Sequence, residues 1–215
     1  MTYRQRLKAV LSPPERTVFA ALNSPKKIQD YLDTLPINFE TAGETYMSPR
    51  RVIRNQTAHC FEGALLAAAA FSYHGQKPLL LDLVTIDRDE DHVVALFREN
   101  GLWGAISKTN HPILRYRDPV YKSIRELAMS YFHEYLMDDG TKSLRRFSTA
   151  FDLRRYSPAL WATAEGDLFW LVDALDESRH YDVAPRKVIA QLRKASGVEV
   201  KAINNTEWTD PRGKS

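Results

Sequence analysis

The sequence predicts an α+β fold in one domain. Three observations carry that expectation: capping signals along a helical first part, an alanine-rich apolar helix beginning near a lone cysteine, and a later change to short apolar runs broken by an Asn-Gly turn. Helices come first, then a hairpin-rich sheet, then more helices, which is the order of an α+β chain.

Each element has its own signal. Ser12 with Glu15 three residues on matches a capping box, and Ser24-Pro25 sets a capping residue before a proline at the first helical position. "SPKKIQDYLDTL" then puts Ile28, Leu32 and Leu35 on one stripe. Residues 36–56, interrupted by Pro36, Gly43 and Pro49, read as a connecting loop. A buried central helix is expected from about 57 to 73, where Phe61, Ala64, Leu65, Ala68 and Phe71 recur at helical spacing and Gly75 stands at the stop.

The apolar runs 78–86, 92–98 and 102–107 read as three strands, with a charged turn at 87–91 and a hairpin at Asn100-Gly101. Asp118-Pro119 is expected to open an amphipathic helix turning Ile124, Leu127, Ala128, Tyr131 and Leu136 inward. "ALWATAEGDLFWLVDAL" reads as two strands around Glu165-Gly166, "RHYDV" as a third, and a last helix runs from Pro185 to about Ala195, stopped by Gly197. The domain spans 1–203, and the polar tail 204–215 is expected to be loose.

Composition narrows the function classes. At 215 residues the chain can bury one sizeable core. A net charge of +3 with both signs interspersed supplies no basic surface of the kind nucleic acid requires, and Arg50-Arg51 and Arg154-Arg155 read as solvated faces with strand- or loop-like neighbours. One cysteine excludes an internal disulfide and suits a reducing compartment. The first residues lack the apolar core of a signal peptide, and the longest apolar stretch, 63–71, is far short of the about 20 residues that span a bilayer. A cytoplasmic protein without nucleic-acid or membrane partners is the expectation.

The single cysteine, Cys60, sits where the central helix starts, a position that favours the thiolate. A nucleophile needs a base, and His92 heads the second strand. If Asn100-Gly101 closes a two-residue turn, paired positions sum to 201. His92 then faces Thr109, with Ser107 its diagonal neighbour on the same side of the sheet. The residue that orients the imidazole therefore falls on Ser107 or Thr109.

These pieces together resemble the transglutaminase-like superfamily. "AHCFEGALLAAAAF" is similar to its nucleophile helix, and "DHVVALFRENGLWGAIS" to its His–Asp hairpin, over about residues 50–115. The resemblance implies a papain-like core with Cys60 and His92 as catalytic residues. One position departs from it. Four residues past the aromatic Trp103 the family carries an acidic residue, and this chain carries Ser107. A serine can orient the imidazole, but it cannot stabilise the imidazolium as a carboxylate does.

The implied reaction is acyl transfer or hydrolysis at an amide or isopeptide bond of a peptide, protein or small amide, with hydrolysis favoured and no cofactor. The alternative is a binding module that keeps the fold after losing the acid. The Cys60 backbone N–H is the expected oxyanion donor, with Gln56, His59, Trp103 and Thr109 as further oxyanion or pocket residues. No metal is expected. Counted from Asp87, "DRDEDH" puts His92 sixth and Arg98 twelfth where a calcium loop needs Gly and Glu, and the six histidines have no tight zinc spacing.

Overall fold

A computed structural model of the protein describes residues 1–213. Among them are ten α-helices and seven strands in an α+β arrangement, all strands pairing antiparallel within one open sheet. Three short helices come first, α1 (Tyr3–Val10), α2 (Pro13–Ala21) and α3 (Pro25–Thr34), followed by α4 (Pro49–Asn55) and the central α5 (Cys60–Tyr73). Ser12 and Glu15 close the capping box of α2, and the Ser24 hydroxyl caps α3 with Pro25 at its first turn. The same device operates at Ser48-Pro49, so part of the stretch read as loop is helix α4. Proline at a first helical turn starts a helix, because its missing N–H has no partner there in any case.

The sheet follows. Strands β1 (Leu79–Val84), β2 (His92–Glu99) and β3 (Leu102–Ile106) are hairpin neighbours, and β4 (Arg117–Tyr121) forms one edge. On the other side of β1 lie β5 (Arg146–Ser148), β6 (Phe151–Asp152) and, at the far edge, β7 (His180–Asp182). The β2–β3 register runs from Glu99 opposite Leu102 to Ala95 opposite Ile106, the sum of 201 that a two-residue turn dictates. Asn100 and Gly101 both have positive φ, as that turn requires.

Period-two alternation divides the core between two faces. Leu80, Val93, Ala95, Phe97 and Ile106 pack under α5 and the first helices, whereas Leu81, Leu83, Val94, Leu96 and Ala105 pack with Leu127, Tyr131, Tyr135 and Phe147. Every residue of α5 from Phe61 to Ser72 is buried. Gly63 allows the close approach: a Cβ there would meet the Lys108 Cβ at 2.6 Å.

Several expectations are corrected. Asp118 and Pro119 lie in edge strand β4, where a missing N–H costs no ladder bond, and helix α6 (Ile124–Ser130) starts later, capped by Ser123. The two strands expected around Glu165-Gly166 are helices, α7 (Pro158–Trp161) and α8 (Phe169–Asp176). In α8 the buried Leu171 and Leu175 continue a helical stripe from Leu168, while Phe169 and Trp170 are partly exposed. The last helix is split. α9 (Arg186–Ile189) is brief, and Gly197 opens α10 (Gly197–Ile203) behind the Ser196 cap instead of ending a helix.

The tail is tied down over its described part. Asn110 exchanges two hydrogen bonds with the Trp208 backbone, at 2.8 and 2.9 Å, and Arg212 reaches the Phe39 carbonyl. Residues 214 and 215 of the expected loose segment lie outside the described residues. No helix among the described residues is long and apolar enough to cross a membrane.

Candidate active site

Cys60 is the first residue of α5, so its N–H is one of those left without an intrahelical partner at a helix start. Its side chain is partly exposed and lies within hydrogen-bonding reach of two imidazoles, His59 and His92. His92 begins β2 and is almost fully buried. The turn before it is held by Asp91, whose carboxylate accepts the Thr85 N–H at 2.7 Å and its hydroxyl at 2.9 Å.

The orientation of His92 follows from a chain of hydrogen bonds. Ser107 Oγ lies 2.7 Å from His92 Nε2. The Ser107 hydroxyl donates to the Leu114 carbonyl, which can only accept. Ser107 Oγ must therefore accept from His92 Nε2–H. Nδ1 is left as the lone-pair nitrogen, free to work as a base.

Gln29 locks the serine from behind, its Oε1 accepting the Ser107 N–H at 3.1 Å and its Nε2 donating to the Ser107 carbonyl at 2.8 Å. Leu114, in the left-handed region at φ 56°, is held by Glu134, which accepts its N–H at 2.7 Å.

The second imidazole has a different environment. His59 is the N-cap of α5, and its backbone N–H goes to Glu62 Oε2 at 2.9 Å. His59 Nε2 lies 2.8 Å from the Thr45 carbonyl and 3.4 Å from Glu62 Oε1. Glu62 has no exposed surface, and Asn38, Thr45 and the Met47 N–H donate to it besides His59. Every one of these partners is a donor, the pattern a carboxylate accepts. Tyr46 packs edge-on against the His59 ring at a centroid distance of 5.7 Å.

The electrostatics follow from these contacts. Burial by itself pushes the Cys60 thiol up. Hydrogen bonding with His59 and then with His92, together with the charge of an imidazolium beside the sulfur, outweighs it and holds the thiol well below its ordinary range. Burial by itself would lower His59. The hydrogen bond and charge of Cys60, then Glu62 and the Thr45 carbonyl, raise it to about 9.

The other candidate residues have partners of their own. Gln56 donates its amide to Tyr31 Oη at 3.2 Å and to the Ile53 carbonyl at 2.6 Å, so both of its amide protons are engaged there. Trp103 pairs with Arg98 at the turn end of the hairpin and lies under its guanidinium. Thr109 Oγ1 accepts the His111 N–H, closing a local turn.

Two groups escaped the sequence reading. Glu62 was marked only by the His59-x-x-Glu62 spacing of a capping box. Asp82, the one charged residue in "LLLDLV", alternates onto the α5 side of β1, nearly fully buried and 3.0 Å from His180 Nε2. Burial raises Asp82 and the His180 hydrogen bond opposes it, while the same bond raises His180.

Among the described residues no group of three His, Cys, Asp or Glu side chains is arranged to hold a metal ion. No protein-family model matches the chain, and no curated protein matches it.

Proposed function

We propose that this protein is a thiol enzyme of transglutaminase-like, papain-type architecture that hydrolyses or transfers the acyl group of an amide or isopeptide bond. One observation carries the reading: a helix-start cysteine in reach of an imidazole whose tautomer is set by Ser107 and the Leu114 carbonyl. Cys60 Sγ attacks the carbonyl carbon, and the oxyanion is received by the Cys60 backbone N–H. An imidazole in contact with Sγ gives the leaving nitrogen its proton. His92 Nδ1 then takes a proton from the incoming water or amine, and the thioester is released.

The test is trapping of the acyl-enzyme. With p-nitrophenyl acetate, acid-quenched protein should carry one acetyl group on Cys60 by mass spectrometry. Cys60→Ser should carry none, and His92→Ala should accumulate the acetyl group and fail to release it. Absence of any acetyl on Cys60 defeats the reading. The second reading, a binding module that has kept the fold, is favoured by Ser107 standing where a carboxylate stabilises the imidazolium in the family it resembles. An inert Cys60 in the folded protein is its signature.

A further inference from the structure

Two imidazoles reach one thiol, and among the described residues the fully buried carboxylate of Glu62 faces His59. We propose that His59, backed by Glu62, holds the proton that partners the Cys60 thiolate, and that His92 Nδ1 serves as the base for the incoming nucleophile. The proposal rests on the acyl-transfer reading and divides the acid and base roles between two histidines.

The hydrogen-bond geometry assigns the roles. On the side away from the thiol, His92 meets Ser107, a neutral oxygen whose own proton is committed to Leu114, so no carboxylate bonded there compensates a positive charge. His59 Nε2 has a carbonyl at 2.8 Å and carboxylate oxygens of Glu62 and Glu40 at 3.4 and 3.9 Å, so a positive ring is compensated on that side. Because the Thr45 carbonyl only accepts, Nε2 is the protonated nitrogen, and Nδ1 is left on the side of the helix start. An added proton there makes the imidazolium, and the Cys60 thiolate is its partner.

Other titratable groups interact with the thiol as well. Tyr46 comes from the segment before α4, Asp82 from β1 and Tyr135 from beyond α6. Asp82 is already paired with His180. None of these replaces the imidazolium, since none is a cation.

The atoms balance over the cycle. In acylation the Sγ–C bond forms, the C–N bond breaks, and the His59 Nδ1 proton goes to the leaving nitrogen. In deacylation a water oxygen bonds to the acyl carbon, the S–C bond breaks, and the water proton goes to His92 Nδ1. That proton returns to His59 through Sγ, with which both rings interact.

The experiment is the rate of iodoacetamide alkylation of Cys60 against pH, with acetyl release measured on the same proteins. His59→Asn is the chosen variant, because asparagine is a preferred N-cap and keeps α5 capped while removing the proton. His59→Asn should cut alkylation at pH 6 by at least about tenfold, as a thiol returning toward its ordinary pKa near 8.5 requires. His92→Gln should leave that rate within about threefold and slow acetyl release by about 100-fold, the lower range for a lost general base.

If His92→Gln abolishes alkylation at pH 6 and His59→Asn does not, the proposal is overturned while the thiol-enzyme reading stands. If His59→Asn lowers only the thermal midpoint, His59 is a cap alone and the proposal is likewise overturned. A wild-type thiol that titrates like a free cysteine overturns both.

Discussion

Ser107 Oγ accepts the Nε2–H of His92 at 2.7 Å and gives its own proton to the Leu114 carbonyl. The hydroxyl is a relay that needs both a lone pair and a proton. Replacing it by aspartate, the residue of the family that this hairpin resembles, therefore does not restore a triad. An ionised carboxylate has no proton for Leu114 and would face a carbonyl oxygen in a buried site. Ser107→Asp is expected to lower stability by at least about 2 kcal/mol in urea denaturation and to reduce acetyl turnover below that of wild type. Turnover above wild type would sink the relay.

Ser107→Ala removes the relay without adding charge. The His92 Nε2–H is left buried without its acceptor, at a cost of about 1–3 kcal/mol. Acetyl release should fall with little change in KM, because the loss concerns how the base is aimed and not how substrate is held. An equal loss in KM alone would count against a positioning role.

Gly63→Ala addresses the approach of α5 to the segment after β3. The new methyl would sit 2.6 Å from the Lys108 Cβ, while Lys108 Nζ is anchored 2.5 Å from the Leu35 carbonyl. Alanine favours helices, so a gain is expected from propensity alone. Overpacking outweighs it, and a net loss of about 1–3 kcal/mol in thermal or urea unfolding is expected. A stabilised variant would mean that Lys108 yields freely.

The His180–Asp82 pair gives stability a slope with pH. The hydrogen bond to Asp82 raises His180 above its ordinary 6.5. A base that binds its proton more tightly when folded contributes stability in full below 6.5 and loses it as pH rises through the folded value. Wild-type stability should therefore decline above pH 6.5, and His180→Gln should flatten part of that decline. His59, raised to about 9, and Cys60, held low, carry slopes of opposite sign over the same window, so that pair adds little to the decline. Parallel curves for the two proteins would exclude the His180 contribution.

The tail should matter to the site through the segment it holds. Glu207 and Trp208 donate to Asn110, and Arg115 pairs with Glu207 at 2.8 Å, so the tail grips both sides of the segment that carries Leu114. A chain ended after Ile203 is expected to show at least about tenfold faster hydrogen exchange over 107–116 and slower acetyl release. Unchanged exchange there would show that Gln29 and Glu134 suffice.

The hairpin was legible because Asn100-Gly101 leaves one turn length, and from that register alone Ser107 came to lie beside His92. The caps at Ser12 and Ser24 were legible for the same reason: their signals are local. Helix α8 was not. Phe169 and Trp170 favour strands, and their weight hid the stripe of Leu168, Leu171 and Leu175 that packing selects. Tertiary partners were the other blind spot. Nothing near Glu62 in the chain announces that Asn38, Thr45 and Met47 converge on it from a segment that reads as loop. Nor does the spacing of His180 place it against Asp82, which lies 98 positions away.

Helix α5 has no face toward water between Phe61 and Ser72. Such a helix gains most of its stability from the sheet and helices around it, and its start exists as a charged end only once they are assembled. His92 and Ser107 likewise meet across a hairpin that closes after α5 has been synthesised. A ribosome-bound or unfolding chain thus carries the sulfhydryl without its surroundings, and only the completed molecule sets it at a helix start beside two imidazoles. On the proposed reading, reactivity at this one sulfur is a report on maturation, readable molecule by molecule.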